Sequence, residues 1–238
     1  FDIGMQTDNK ILVGGDFAKI NSSSAVGAGR LLNSLTPART PFDYDGDGKS
    51  DVSVFRASEN NWYILRSSDF GVTQTAFAIA GDVPVPADFD GDGNLDIAAV
   101  NAPTQTPRVS IVFGDGNGGF SVPLVILSTL IPRVVTAGDF NHDGRPDIVV
   151  GAYYQNQIAF ISNLGNRQFG SPVISFPPEP PLPNTAQFYD LGVGDFNHDG
   201  NLDVVALQDQ QGKRLRFFSF SGQGALTVYR TLYAVGQD

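Results

Sequence analysis

Four nine-residue segments hold most of the side chains in this sequence that could do chemistry: DYDGDGKSD (Asp43–Asp51), DFDGDGNLD (Asp88–Asp96), DFNHDGRPD (Asp139–Asp147) and DFNHDGNLD (Asp195–Asp203). Oxygen-bearing side chains recur at positions one, three, five and nine. They are Asp43, Asp45, Asp47 and Asp51; Asp88, Asp90, Asp92 and Asp96; Asp139, Asn141, Asp143 and Asp147; and Asp195, Asn197, Asp199 and Asp203. Glycine stands at position six of every copy (Gly48, Gly93, Gly144, Gly200), where a sharp turn lets alternate residues converge on one point. That is the pattern a hard cation requires, since calcium takes six to eight oxygen ligands at about 2.3–2.6 Å. Position seven holds Lys49, Asn94, Arg145 and Asn201, side chains with nothing in common, as expected where a backbone carbonyl meets the ion. Packing so many carboxylates into four small rings is self-repulsive without counter-ions. About four calcium ions, each binding the native state alone, would stabilise the fold by mass action.

The segments start 45, 51 and 56 residues apart, as their first residues Asp43, Asp88, Asp139 and Asp195 show, close to the length of a four-stranded propeller blade. Short β-rich runs bounded by turn residues follow each of them. After Asp147 come IVVGAYY, IAFISNL and SPVISF; after Asp96, IAAV, VSIVFG and VPLVIL; after Asp51, VSVFR, WYILRS and QTAFAIA; after Asp203, VVALQ, RLRFFSF and LTVYRTLYAV. Another candidate strand precedes each loop, as at Val83 to Ala87 and Arg133 to Ala137. One repeat therefore reads strand, loop, strand, strand, strand, and no helical periodicity competes with it.

Composition agrees with this all-β reading. The chain of 238 residues is 41% hydrophobic, enough for a core, and its 27 Gly and 15 Pro favour turns. Only Glu59 and Glu179 interrupt an otherwise Asp-only acidity, a bias that places the charge on loops because Asp is a poor helix former. A net charge of -10 argues against the phosphate backbone of nucleic acid as partner. No apolar stretch is long enough for a membrane-spanning helix. Without cysteine, disulfides and thiolate metal sites are excluded.

EF-hand and dockerin loops begin in the same way but run into a helix, and an EF-hand needs Glu at position twelve. Here that position is Val54, Ala99, Val150 and Ala206, inside apolar strands. The four segments instead resemble the FG-GAP/VCBS repeat family, the calcium-loop propeller units of integrin α-subunit heads and many bacterial surface proteins, over about residues 38–238. The resemblance implies a β-propeller of four-stranded antiparallel blades, at about 38–82, 83–132, 133–187 and 188–238, with the calcium loop between the first two strands. It implies metal ligands at the side chains named above and at the carbonyls of Lys49, Asn94, Arg145 and Asn201. Asn141 and Asn197 depart from the all-Asp pattern and remove one negative charge each, so the first two loops are expected to bind calcium more tightly than the last two. A calcium-binding, noncatalytic scaffold or adhesion module follows, secreted or surface-displayed and bacterial, with a protein or glycan partner. The alternative is a lectin or a polysaccharide-acting enzyme on the same fold.

Residues 1–37 fall outside the repeat, and KILVGGDFAKIN resembles a delta-sixty repeat, a β segment able to form an extra blade. At the other end RTLYAVGQD matches TAFAIAGD ahead of the second loop, so either a five-bladed ring or part of a larger array is expected. Tyr44, Phe89, Phe140 and Phe196 at position two are read as packing between blades, and His142 and His198 at position four as outward-facing polar residues. Trp62-Tyr63 and Tyr153-Tyr154 are read as strand aromatics more than as glycan platforms. Pro177 to Pro183 is read as a stiff loop between blades.

Overall fold

The computed structural model describes residue 40 and residues 42–56, 58–77, 84–101, 108–127, 130–153, 156–176, 187–209, 213–221 and 224–233, together with the backbone of five strands ahead of them. The Pro177 to Pro183 segment and Tyr154 lie outside the described residues. Two compact units make up the chain, Phe1–Thr40 and Pro41–Asp238. The first contains β1 (Asp2–Met5), β2 (Ile11–Gly14), β3 (Lys19–Ile20), β4 (Ser23–Ser24) and β5 (Ala28–Leu31). Strands β1, β2 and β5 form one antiparallel sheet in that order, and β3 pairs with β4.

The second unit is a series of antiparallel blades, each with its strands side by side in chain order. Blade one contributes β6 (Val52–Arg56), β7 (Asn61–Leu65) and β8 (Val72–Ala76). Blade two is β9 (Val85–Ala87), β10 (Asp96–Asn101), β11 (Arg108–Val112) and β12 (Leu124–Leu127). Blade three runs through β13 (Pro132–Gly138), β14 (Asp147–Ala152) and β15 (Ile158–Ile161), makes a small hairpin of β16 (Asn163–Gly165) and β17 (Gln168–Phe169), and closes with β18 (Val173–Ser175). Blade four is β19 (Gln187–Gly194), β20 (Asp203–Asp209), β21 (Lys213–Phe220) and β22 (Leu226–Tyr233). Among the described residues there is no helix, and each Asp-rich loop of blades two to four joins the first strand to the second. The all-β, four-stranded reading of the sequence holds.

Because successive side chains of a strand point to opposite faces, the second strand of a blade has one face for each neighbour. The residues one and three places after the ninth loop position face the blade before. Ile97 and Ala99 pack with Tyr44, Trp62 and Ile64; Ile148 and Val150 with Phe89, Ala98 and Val100; Val204 and Ala206 with Phe140 and Val149. The residues between them, such as Ala98 and Val149, face the blade after. The second strands β10 and β14 are buried on both faces, which is why they read as continuous apolar runs. Gly151 on β14 lies where an added Cβ would stand 2.7 Å from Cβ of Phe188, so blade four can approach this closely only because the side chain is missing.

Candidate metal centres

The four loops fold through closely similar internal hydrogen bonds, which the alternation of short acceptors dictates; in the second, Asp88 accepts from the N–H of Gly91 at 2.8 Å and of Gly93 at 3.1 Å. The first carboxylate caps the turn: Asp43 accepts from the N–H of Asp47 at 3.1 Å and of Gly48 at 3.0 Å, and Asp139 and Asp195 accept from the matching groups of their loops. The position-three oxygen accepts from the position-five N–H, at 3.2 Å for Asp45, 3.1 Å for Asp90, 2.9 Å for Asn141 and 2.8 Å for Asn197. The position-five carboxylate accepts from the N–H of residue seven, for instance Asp92 from Asn94 at 2.7 Å. These bonds curl the loop so that its acceptor side chains line the inside.

Glycine at position six adopts a positive φ in every copy, from 83° at Gly48 to 104° at Gly93. Position four is left-handed as well: Gly46 and Gly91 have φ of 73° and 78°, and His142 and His198 reach 60° and 63°. The histidines are exposed, as expected, but their position is constrained by the backbone, a requirement that the Gly-to-His change between copies conceals in the sequence. His is among the non-glycine residues that tolerate this region.

The ninth residue behaves differently from the others. Asp51, Asp96, Asp147 and Asp203 are buried, and their carboxylates tie the loop to its own blade. One oxygen of Asp96 accepts from the N–H of Phe89 at 2.7 Å and of Asp90 at 3.2 Å, and the other accepts from Gly114 at 2.8 Å. Asp51 repeats this with Tyr44, Asp45 and Ser67, and Asp147 with Phe140 and Asn163. Asp203 accepts on one oxygen from Phe196 and Asn197 and also from the Tyr229 hydroxyl at 2.9 Å. Ser67, Gly114 and Asn163 were not legible as site residues, since a backbone donor leaves no side-chain signal and their offset from position nine varies.

Burial pushes the Asp96 carboxyl up to about 7 and the Asp147 carboxyl up to about 6, against the downward pull of the N–H groups they accept. Desolvation, helped by the hydroxyl bond to Asp203, also raises Tyr229 to about 12. A carboxylate held this way gains from a nearby cation. In the first loop Asp43, Asp45 and Asp51, and in the second Asp88, Asp90 and Asp96, each offer an oxygen within 4.8 Å of the others. These two clusters could hold a metal ion. In the third and fourth loops Asn141 and Asn197 replace one carboxylate of the corresponding triad. The donor set is all oxygen and charged, which fits a hard divalent cation and not a soft one. Basic side chains meet the same loops: Lys49 pairs with Asp47, Arg145 with Asp143, and Arg167 of blade three with Asp90 of the second loop.

Of the other aromatics singled out by sequence, Trp62 is core, Tyr63 donates to Glu59 beneath the Arg56 guanidinium, and Tyr153 stacks with Arg133. Tyr44, Phe89 and Phe140 are buried between blades, whereas Phe196 is 43% exposed. The expectation of burial fails there because no further blade of the described residues covers the fourth loop.

Antiparallel blades in series, each of blades two to four with an Asp-rich loop between its first two strands, define an all-β repeat protein of the propeller type. The family model for the FG-GAP-like repeat matches residues 43–99, 88–150 and 139–206, each match running from one loop into the strand after the next. The chain belongs to the FG-GAP-like repeat family. No curated protein matches it. Among solved structures it is similar to BBS1N, crystallised in complex with ARL6DN, at 12% identity and a TM-score of 0.53 over 84% of this chain and 58% of that one. An Agrocybe aegerita lectin that recognises non-reducing terminal N-acetylglucosamine matches at 15% identity and a TM-score of 0.48, over 80% of this chain and 50% of the lectin. A Lactobacillus plantarum protein matches at 12% identity and 0.46, over 94% and 53%. The chain spans between 50% and 58% of the length of these three structures. No helix among the described residues is long and apolar enough to cross a membrane.

Proposed function

We propose that the protein is a calcium-braced, noncatalytic scaffold that works outside the cell, secreted or surface-displayed, and presents loops from rigid blades to a protein or glycan partner. The observation that supports it best is the pair of carboxylate triads, Asp43, Asp45 and Asp51 and Asp88, Asp90 and Asp96, whose oxygens lie within 4.8 Å of one another. Side chains at positions one, three, five and nine of all four loops, with the carbonyls of Lys49, Asn94, Arg145 and Asn201, are the proposed ligands. Calcium bound there supplies fixed positive charge, which favours ionised carboxylates at Asp96 and Asp147. Asp96 and Asp147 themselves anchor the loop to the second and third strands of the blade. Weak sites of this kind match extracellular calcium, which is millimolar, better than cytosolic calcium. Membership in a repeat family often found in extracellular proteins agrees with that placement.

Equilibrium dialysis of metal-stripped protein against calcium tests the reading. The expected result is close to four ions per chain, with magnesium a poor competitor because it demands a smaller octahedral site. A chain that takes up no calcium at millimolar concentration overturns it, and turnover of a polysaccharide overturns its noncatalytic part.

A further inference from the structure

Successive Asp loops are tied together inside the chain, because the hairpin after the third strand of a blade rests on two of them. In blade two the N–H of Gly114 donates to Asp96 of its own loop at 2.8 Å, and the N–H of Gly118 donates to the Tyr44 carbonyl of the loop before at 3.1 Å. A Cβ added at Gly116 would collide with the side chain of Asn94, and one added at Gly46 would stand 3.3 Å from the Gly116 carbonyl. This hairpin is held against both the first and the second loop.

In blade three one side chain does the same for the second and third loops. Asn163 follows the third strand and binds the position-nine carboxylate, as Gly114 does in blade two, and it is fully buried. Its N–H donates to Asp147 at 2.8 Å, and its Nδ2 donates to the Phe89 carbonyl at 2.7 Å and to the Pro146 carbonyl at 3.1 Å. Its Oδ1 accepts from the N–H of Gly165 at 3.0 Å, and its own carbonyl accepts from Nε of Arg145 at 3.0 Å. Phe89 stands in the chain between Asp88 and Asp90 of the second loop, whereas Pro146, Asp147 and Arg145 belong to the third. Arg167 of the same hairpin adds its pair with Asp90 and lies over the Phe113 ring at 4.4 Å. At the next boundary the loops meet directly, with His142 Nε2 and Asn201 Oδ1 2.9 Å apart.

We propose that Asn163 couples the second and third loops, so that calcium bound at either raises the affinity of the other. The inference rests on the calcium reading above and deepens it. Every polar group of Asn163 is bonded in a buried setting, so a shift of either Asp147 or the Phe89 carbonyl leaves a buried donor unmet, which is costly. Neither loop can reorder alone without that loss. Order gained at one loop is therefore shared with the other, which has less freedom left to lose when it binds. Such coupling is reciprocal.

Calcium titration of the whole chain, followed by NMR at the position-six glycine amides, tests this, with Gly93 reporting the second loop and Gly144 the third. Asn141→Ala removes a proposed ligand from the third loop and is expected to weaken calcium at the second by about fivefold or more. Asp92→Ala is expected to weaken the third loop by a similar factor. In the Asn163→Gly chain, which carries there the residue that blade two has at this place, both cross-effects are expected to vanish while each loop still binds. Asn163→Asp keeps the side-chain size and the acceptor for Gly165 but loses both Nδ2 bonds, and it decides the matter if the glycine variant does not fold. A residue that only props up the fold would lower both affinities and leave the cross-effects standing, an outcome that overturns the proposal. Asn141→Ala without effect on Gly93 overturns it as well. Calcium bound independently at both loops removes the coupling alone, whereas calcium bound at neither removes the calcium reading together with it.

Discussion

The second and fourth loops, DFDGDGNLD and DFNHDGNLD, differ at two positions, Asp90-Gly91 against Asn197-His198, yet they sit in unlike surroundings. Phe89 is completely buried under blade three, whereas Phe196 is 43% exposed. Asp90 pairs with Arg167 across the blade boundary, and Asp96 accepts the N–H of Gly114 while Asp203 accepts a tyrosine hydroxyl. The difference teaches that the loop's own sequence fixes its curl and its inward oxygens, while the following blade fixes how dry and how rigid it becomes.

The comparison breaks most easily at position two. Phe89→Ala is expected to cost about 3–5 kcal/mol, the range for deleting a buried ring, and Phe196→Ala less than about 1 kcal/mol, as for an exposed site. Urea denaturation of the two variants checks this, and equal losses would refute the covered-versus-open distinction.

Position three should shift calcium affinity. Asn197→Asp restores a fourth carboxylate to the fourth loop and is expected to tighten calcium there by about tenfold, because ligand charge count tunes affinity. Asp90→Asn should weaken the second loop by a similar factor. Calorimetric titration that finds neither change, or the reverse order, removes charge count as the cause.

A smaller effect is expected at position four. His198→Gly relieves a left-handed backbone and should raise melting stability by at most about 1 kcal/mol, while Gly91→His should lower it by a like amount. The least change is expected from Arg167→Ala, which breaks the pair between a half-exposed guanidinium and the nearly buried Asp90 carboxylate, worth about 1 kcal/mol, and frees Asp90. Calcium affinity at the second loop should therefore rise slightly even as stability falls slightly. A parallel fall in both would mean that Arg167 organises the loop and does not compete for it.

Much of this was legible in the residues. The spacing of the Asp segments gave the blade length, and strand alternation with turn residues gave the strand order, because both are local properties of the chain. The convergence of carboxylates at positions one, three and nine of the first two loops was legible for the same reason. What was hidden depends on neighbours distant in sequence. The N–H of Asn163 reaching Asp147 leaves no mark on side-chain chemistry. The exposure of Phe196 cannot be told from the burial of Phe89 in two segments that both begin Asp-Phe. His142 and His198 look like solvent-facing fillers until the backbone at Gly46 and Gly91 reveals the shared positive φ.

The central claim is that cations in these loops hold the blades. Differential scanning calorimetry of metal-stripped protein, with calcium added and with a chelator, tests it most directly. Each site saturated to a hundred times its dissociation constant should add about 2.7 kcal/mol of stability, so calcium is expected to raise the melting temperature by many degrees, and chelation to reverse the gain. The Asp96→Ala chain should recover less of that gain. Superimposable melting curves with and without calcium would contradict the account.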